Sequence, residues 1–362
     1  MKIRTEILQK LVSKAIQGSS NNRMIPLTSL IGIEYLDSKL TLITTDGSNQ
    51  FRVIEKIEVP TEDDYEFYTI VNADTFSKLV GKTTKEFIEL ENKENYLEVK
   101  GNGTYKLEIA INEEGEMVRF PNIVEELSKE TIKLNLNDLQ EAIKVAKASV
   151  AKTLEVPCLT GYYLSKNIIS TDRQLVCKIN KEIVTEPILI SSEMAELLLL
   201  VGGDEILELV KKDNNLIFYN ANYTIAGKEL EGKELYPVQP IENLTNLAYN
   251  NSIKVNKQEL LAVLDRMNLF VTDYDKGGIY LNFTAKGLEV KSQKSSATEI
   301  IDIEQPETFI NQFNCLIDIE MLRNEIMSVT TEEIEIQYGQ EKSIKIVDNN
   351  AIFIISLLDK SN

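Results

Sequence analysis

The sequence predicts an α+β protein of three repeated domains, each made of two strand-helix-strand units. Three observations carry this prediction. A short alternating strand that runs into an amphipathic helix opens at Lys2, at Lys133 and again at Lys254. A second strand-to-helix segment recurs from Tyr68, Pro187 and Cys315. After each helix of the second set come at least two alternating strands with a polar turn between them. Self-similarity in a fixed order is the mark of a repeat architecture.

The openings read KIRTEILQKLVSKAI, KLNLNDLQEAIKVAK and KVNKQELLAVLDRM. Aligning Ile3, Leu134 and Val255 superposes Leu8, Leu139 and Leu260, then Val12, Ile143 and Leu264, an apolar stripe at helical spacing. Thr5 and Asn137-Asp138 are of residue types that cap helices. In the second set, aligning Val71, Ile190 and Ile317 superposes Phe76, Ala195 and Leu322, then Val80, Leu199 and Ile326. The predicted helices run 5–17, 74–85, 138–152, 192–201, 257–268 and 319–328. The strands that follow pair Phe87 to Leu90 with Tyr96 to Val99, Ile206 to Val210 with Leu216 to Tyr219, and Ile334 to Gln337 with Ser343 to Val347. Domain boundaries are expected near Glu126-Leu127-Ser128 and between Asn243 and Asn251, giving domains 1-127, 128-249 and 250-362. Two domain ends also rhyme, Phe120-Pro121-Asn122 and Tyr236-Pro237-Val238.

Of the 362 residues, 43% are hydrophobic and 27% charged, a balance that suits packed globular domains. Neither histidine nor tryptophan occurs. Without histidine, Ser-His-Asp and Cys-His nucleophile pairs and histidine zinc sites cannot be assembled. Cys158, Cys177 and Cys315 form no CxxC motif and are expected as buried, reduced thiols. Gly202-Gly203-Asp204 and Gly101-Asn102-Gly103 lack the Lys-Ser/Thr of a phosphate loop and read as a helix stop and a hairpin turn. Glu62-Asp63-Asp64 and Glu113-Glu114 lack EF-hand spacing and read as solvated loops. The expectation is a protein that is not an enzyme and needs no cofactor or metal. No signal-peptide core follows Met1, and the longest apolar runs, such as Leu197 to Val201, cannot span a bilayer. The expected location is therefore the cytoplasm, with no membrane partner.

The order of several short motifs resembles the bacterial sliding clamp family, the beta subunit of DNA polymerase III. Met24-Ile25-Pro26-Leu27-Thr28 is similar to that family's Thr-Ile-Pro-Ile-Leu stretch, and Thr44-Thr45-Asp46 to its strand-end Thr-Asp. Phe120-Pro121-Asn122 resembles its first domain terminus. Pro157-Cys158-Leu159-Thr160-Gly161 resembles Pro-Ile-Leu-Thr-Gly. Ser170-Thr171-Asp172-Arg173-Gln174-Leu175 resembles Ala-Thr-Asp-Ser-His-Arg-Leu with one residue deleted. The resemblance covers nearly the whole chain. It departs at the missing histidine and at the ending Ser356-Leu357-Leu358-Asp359-Lys360-Ser361-Asn362, as expected of a phage-encoded or otherwise divergent version.

The resemblance implies three DNA-clamp domains, with helices lining a ring and sheets outside. It implies a head-to-tail homodimer that encircles double-stranded DNA regardless of sequence, as a processivity factor in DNA replication. The implied partners are a DNA polymerase, a clamp loader and other proteins carrying a clamp-binding motif. The charge pattern is compatible with this. The six predicted helices carry eleven basic against ten acidic residues, while the whole chain has a net charge of −18. A near-neutral lining within an acidic protein suits sliding on polyphosphate without gripping it. The candidate DNA-binding residues are Lys10, Lys14, Arg23, Lys78, Lys82, Lys144, Lys147 and Lys152. The third domain offers little, because Arg266 and Arg323 stand beside Asp265, Glu320 and Glu325.

Carried over by motif, the partner-peptide pocket would comprise Leu159, Thr171, Arg173, Leu175 and Pro237, together with Ile354, Ser356 and Leu358 of the carboxyl-terminal strand. An apolar groove with a few polar handles is what anchor-type peptide binding requires. The competing class is an acidic, non-enzymatic interaction protein such as a DNA mimic. The clustering of lysines on repeated helices argues against it.

Overall fold

The computed structural model describes residues 1–57, 66–122, 131–272, 277–284, 287–294, 296–302 and 312–359. The expected boundary at Leu127/Ser128, the acidic run Glu62-Asp63-Asp64 and the terminal Lys360-Ser361-Asn362 lie outside the described residues. The chain begins with β1 (Lys2–Arg4), α1 (Thr5–Ala15), β2 (Leu30–Leu36), β3 (Lys39–Thr45), β4 (Asn49–Lys56), β5 (Phe67–Asn72), α2 (Ala73–Gly81), β6 (Phe87–Asn92), β7 (Tyr96–Lys100) and β8 (Thr104–Glu108). It continues through β9 (Ile132–Asn135), α3 (Leu136–Ala146), β10 (Gly161–Leu164), β11 (Ile168–Thr171), β12 (Leu175–Ile179), β13 (Ile188–Ser191), α4 (Ser192–Leu198), β14 (Ile206–Lys212), β15 (Asn215–Tyr219), β16 (Tyr223–Lys228) and α5 (Val238–Thr245). The last third holds β17 (Asn251–Asn256), α6 (Lys257–Asn268), β18 (Gly278–Thr284), β19 (Gly287–Ser292), β20 (Thr298–Ile301), β21 (Phe313–Asp318), α7 (Ile319–Ser328), β22 (Glu333–Tyr338), β23 (Ser343–Asp348) and β24 (Ala351–Ser356).

Both repeats seen in the sequence are present as strands running directly into helices. The junctions are β1-α1, β9-α3 and β17-α6 for the first motif, and β5-α2, β13-α4 and β21-α7 for the second. At three of them the last strand residue is also the cap. Asn72 accepts from Thr75 N at 2.9 Å, Asn256 from Glu259 N at 3.0 Å and Asp318 from Met321 N at 3.0 Å. Thr5 does not cap α1 as its residue type suggested. Its hydroxyl donates to the Lys85 carbonyl at 2.6 Å, and the N-cap position is held by Arg4 without a side-chain bond. Asn137 and Asp138 lie inside the first turn of α3, since that helix starts at Leu136.

The chain packs as two compact units, residues 1–137 with 193–229 and residues 138–192 with 230–362. In the first, one sheet runs β1-β6-β7-β8 and another β5-β2-β3-β4-β16-β15-β14-β9. In the second, one sheet runs β20-β19-β18-β21 and another β13-β10-β11-β12-β24-β23-β22-β17. These orders reduce to six four-stranded blocks of two connectivities, three of each. Three have the order of β5-β2-β3-β4, repeated as β13-β10-β11-β12 and β21-β18-β19-β20. The other three have the order of β1-β6-β7-β8, repeated as β9-β14-β15-β16 and β17-β22-β23-β24.

Each unit is held by apolar faces of helices laid on its sheets. In the first, Leu8, Leu11, Val12 and Ala15 of α1 and Phe76 and Val80 of α2 are buried, together with Phe51 and Leu90 of the strands. In the second, Leu260, Leu264, Leu322 and Ile326 of α6 and α7 are buried, and Phe283 stacks on Tyr338 with ring centroids 3.9 Å apart. Each fully buried aliphatic side chain of this kind contributes about 1.5–3 kcal/mol. Cys158, Cys177 and Cys315 are all buried.

Candidate functional site

Two seams join blocks edge to edge, one in each unit, and they share a register. In the first unit, β4 meets β16 over five pairs from Asn49↔Gly227 to Val53↔Tyr223. In the second, β12 meets β24 over five pairs from Leu175↔Ile355 to Ile179↔Ala351. The strand-end turn before each seam is also the same. Asp46 Oδ1 accepts from Ser48 N and Asn49 N at 2.7 and 2.6 Å, and Asp172 Oδ1 from Gln174 N and Leu175 N at 2.8 and 2.7 Å. Thr45 Oγ1 donates to Asn49 O and accepts from Gly47 N; Thr171 Oγ1 donates to Leu175 O and accepts from Arg173 N.

What differs is the side chains. At one corresponding pair the first seam has Gln50↔Ala226 and the second has Val176↔Ile354. In the first unit the seam is polar: Gln50 Nε2 and Arg52 Nη2 both donate to the Pro121 carbonyl, at 3.1 and 3.2 Å. In the second, Val176 and Ile354 join Cys158, Leu159, Ile169, Leu189, Tyr236 and Ile241 in one apolar cluster. The rhyming domain ends occupy corresponding places. Phe120 packs with Ile43 and Ile70, and Tyr236 packs with Ile169 and Leu189. Tyr236 stacks on Tyr163 at 5.3 Å and donates to the Ile169 carbonyl at 3.2 Å, and burial pushes its phenol far up from the ordinary tyrosine range.

Of the pocket residues expected from the sequence, Leu159 and Ile354 meet within this cluster, and Pro237 is half-buried next to Tyr236. Thr171 is buried and spends its hydroxyl on the turn. Leu175 pairs with Ile355, one step from the Val176↔Ile354 pair, so alternation puts it on the opposite sheet face. Ser356 is half-buried, and its N–H donates to the Gln174 carbonyl at 2.9 Å. Leu358 lies beyond the end of β24, and its N–H donates to the Leu316 carbonyl at 2.9 Å. Arg173 is exposed with φ +83°.

Sequence reasoning missed α5, which supplies Ile241 to the cluster with Val238 and Leu244 packed against it. Buried cations pin this helix to the sheet. Lys178 Nζ donates to Glu242 at 2.5 Å, Asn167 donates to the same carboxylate at 3.1 Å, and Lys345 Nζ donates to the carbonyls of Thr245 and Leu247 at 3.2 and 2.8 Å. Burial holds the Lys345 ammonium below the ordinary lysine range. The three-residue spacing of Val238, Ile241 and Leu244 was the available signal.

The candidate basic residues fall in two groups. Lys10, Lys82, Lys144 and Lys152 are exposed, as are Arg23 and Lys147, and none of them lies on a buried stripe. Lys10/Lys14 and Lys78/Lys82 are four residues apart and share helix faces turned from the core. Lys14 and Lys78 are already engaged, Lys14 Nζ with the Tyr223 hydroxyl at 2.5 Å and Lys78 Nζ with Asp74 at 2.7 Å. Arg266 and Arg323, set aside in the sequence reading, are ion-paired with Glu299 and Asp265 at 2.6 Å each.

Glu325 behaves unlike the other acids of the helices. It is fully buried; Oε1 accepts from Ser149 Oγ at 2.6 Å, and Oε2 has no hydrogen-bond partner among the described residues. Burial pushes its carboxyl up to about 8, with Ser149 pulling the other way and Asp172 adding to the rise. Among the described residues no helix is long and apolar enough to cross a membrane.

Residues 1–123 match the family described as DNA polymerase III beta subunit, N-terminal domain. No curated protein sequence matches the chain significantly. Solved structures match throughout. The DNA polymerase sliding clamp of Bacillus subtilis superposes with a TM-score of 0.85 at 16% identity, covering 99% of each chain. The DNA polymerase III beta chain of Streptococcus pneumoniae gives 0.85 at 17% over 99% of each chain. A DNA polymerase III beta subunit from Eubacterium rectale, itself described as putative, gives 0.82 at 18%, covering 100% of this chain and 99% of the other. Over its whole length, and at this low identity, the chain therefore has the three-domain α+β fold of the DNA polymerase III beta sliding clamp.

Proposed function

We propose that two copies of this chain close head to tail into a ring around duplex DNA and tether a replicative polymerase through the apolar cleft beside the β12–β24 seam. The clamp loader and other proteins carrying a clamp-binding segment would use the same cleft. The three domains would run 1-127, 128-249 and 250-362. The ring acts as a tether and performs no chemistry. One observation carries this reading. The two seams join corresponding block edges in corresponding register, and among the described residues the same two kinds of edge are left over at β8 and β20. Two copies would pair these edges reciprocally and leave no sheet edge open. The exposed lysines would face phosphates, which position a protein without reading sequence.

The test combines mass and topology. Light scattering should give twice the chain mass of 41.0 kDa. After loading, the protein should stay on closed circular DNA and leave when the circle is cut. A monomer, or equal retention on both forms, would overturn the ring; binding to neither form would favour a DNA mimic.

A further inference from the structure

We propose that a groove in the first unit, between β1 and the far end of β4, binds an extended acidic segment of another protein in which Asp or Glu alternates with aliphatic residues. The site is separate from the cleft beside the β12–β24 seam and depends on neither that cleft nor the ring. Its core is a cavity of about 280 Å³. Lys2, Ile3 and Arg4 of β1 all border it, as do Glu55 and Lys56 of β4 with Ile57 after them. Side chains of successive strand residues point to opposite faces. Three in a row can border one cavity only where it runs along the strand and takes in the backbone, so the cavity is a slot between two extended segments. β1 reaches it because β6 holds the other side of the strand, with Lys2↔Glu89 and Arg4↔Phe87. β4 reaches it by running on beside β3 past Val53, where its pairing with β16 ends.

The lining says what the slot accepts. Lys2, Arg4 and Lys56 border it against one acid, Glu55, in a chain whose net charge is −18. Arg4 and Lys56 are exposed and have no ion pair or side-chain hydrogen bond among the described residues. Lys2 is lightly held, 3.8 Å from Glu89 and 4.9 Å from the centre of the Phe87 ring. Exposed pairs of this kind are worth little, so a ligand carboxylate can replace them. The rest of the lining is apolar. Ile3 and Ile57 are buried, while Ile7 of α1 and Phe87 of β6 remain 37% and 36% exposed. A polyphosphate would satisfy the cations and leave the apolar groups uncovered; an uncharged apolar segment would do the reverse. A strand laid along β1 does both. Main-chain hydrogen bonds hold it, and its side chains alternate in step with those of β1. Acidic residues then fall on the Lys2–Arg4 face and aliphatic ones between them. Arg4 takes a carboxylate in bidentate fashion, and the lysines act as point charges.

The experiment measures fluorescence anisotropy on the full chain with labelled probes. These are a hexapeptide of alternating Asp and Leu, its counterpart with Asn for Asp, a hexapeptide of the same Asp and Leu content arranged in two blocks, and a short DNA duplex. The alternating Asp peptide should bind roughly tenfold more tightly than the Asn and block peptides. Arg4→Gln combined with Lys56→Gln should lower its affinity roughly tenfold, since each exposed ion pair is of modest worth. The same double change should leave the Asn peptide and the thermal midpoint unchanged. Ile7→Ser and Phe87→Ser, at two exposed positions, should each weaken the Asp and Asn peptides alike, and either variant suffices if the other fails to fold. No binding of the alternating peptide, equal binding of the Asp and Asn or block peptides, or an affinity that survives the double change would overturn the proposal. A duplex that binds more tightly than the peptide and loses affinity in the double variant would assign the groove to DNA and overturn the peptide.

Discussion

Glu325 aligns with Leu79 and Leu198 of the repeat, so a carboxyl group occupies a position that elsewhere takes an aliphatic side chain. Burial raises its pKa from the ordinary 4.5 to about 8. A carboxyl with a raised pKa binds its proton more tightly folded than unfolded. Its favourable state is therefore fully present below about pH 4.5, is lost as pH rises, and levels off above about 8. Glu325→Gln keeps an acceptor for Ser149 and removes the titration. It should stabilise the chain by about 2–4 kcal/mol at pH 8.5 and change it little near pH 5. Thermal melts across that range check this; parallel profiles for the two proteins would refute it. The sequence showed Glu325 only as one more acid on a helix. Its burial depends on Ser149, 176 residues away, and no local pattern reports such a contact. Arg173 was legible as a departure from the family motif. Its strain was not, because φ follows from the turn that Asp172 and Thr171 build.

At the level of elements, α6 and α7 run over the predicted 257–268 and 319–328. The earlier helices stop short of their predicted ends, α1 and α3 because their last turns tighten. Residues Ile16–Gly18 and Lys147–Ser149 are 3-10 turns, and α4 ends at Leu198. α5 escaped notice because Pro240 breaks the apparent pattern, although proline is tolerated in a first turn, and because the Asn-rich stretch after it reads as linker. Its place on the sheet is set by the Lys178–Glu242 pair, whose lysine side chain is only 8% exposed. Removing one partner of such a pair strands a buried charge. Glu242→Ala should therefore destabilise the chain by about 3–5 kcal/mol and weaken peptide binding, since Ile241 loses its support. The double change Lys178→Met with Glu242→Ala should recover most of that loss, because no charge is left stranded. Urea unfolding of the single and double variants separates this account from simple loss of packing, which the second change would not repair.

For the whole molecule, charge and edges lead to separate tests. Lys10, Lys82, Lys144 and Lys152 are exposed, and replacing all four with Glu should leave folding intact. Retention on circular DNA should fall about tenfold at physiological salt, as each lost phosphate contact weakens the salt-dependent attraction. Unchanged retention by the folded variant would place the DNA elsewhere. The sheet edges bear on assembly. The alternation of strands was readable in the residues, whereas the edge-to-edge joining of blocks followed only from the family resemblance, because a seam such as β12–β24 pairs segments about 175 residues apart. The seams matter here because they show what β8 and β20 lack. Along β8 successive N–H groups alternate between β7 and the open side, so of Tyr105 and Lys106 one donates inward and the other outward. Tyr105→Pro and Lys106→Pro should then differ. The inward one should disturb the hairpin and lower the thermal midpoint. The outward one should leave circular dichroism and melting nearly unchanged and convert the proposed dimer to a monomer by light scattering, since proline removes a ladder bond and its ring obstructs a neighbouring strand. If both variants remain dimeric at micromolar concentration, β8 is not the closing edge, and the contact between copies lies on another surface.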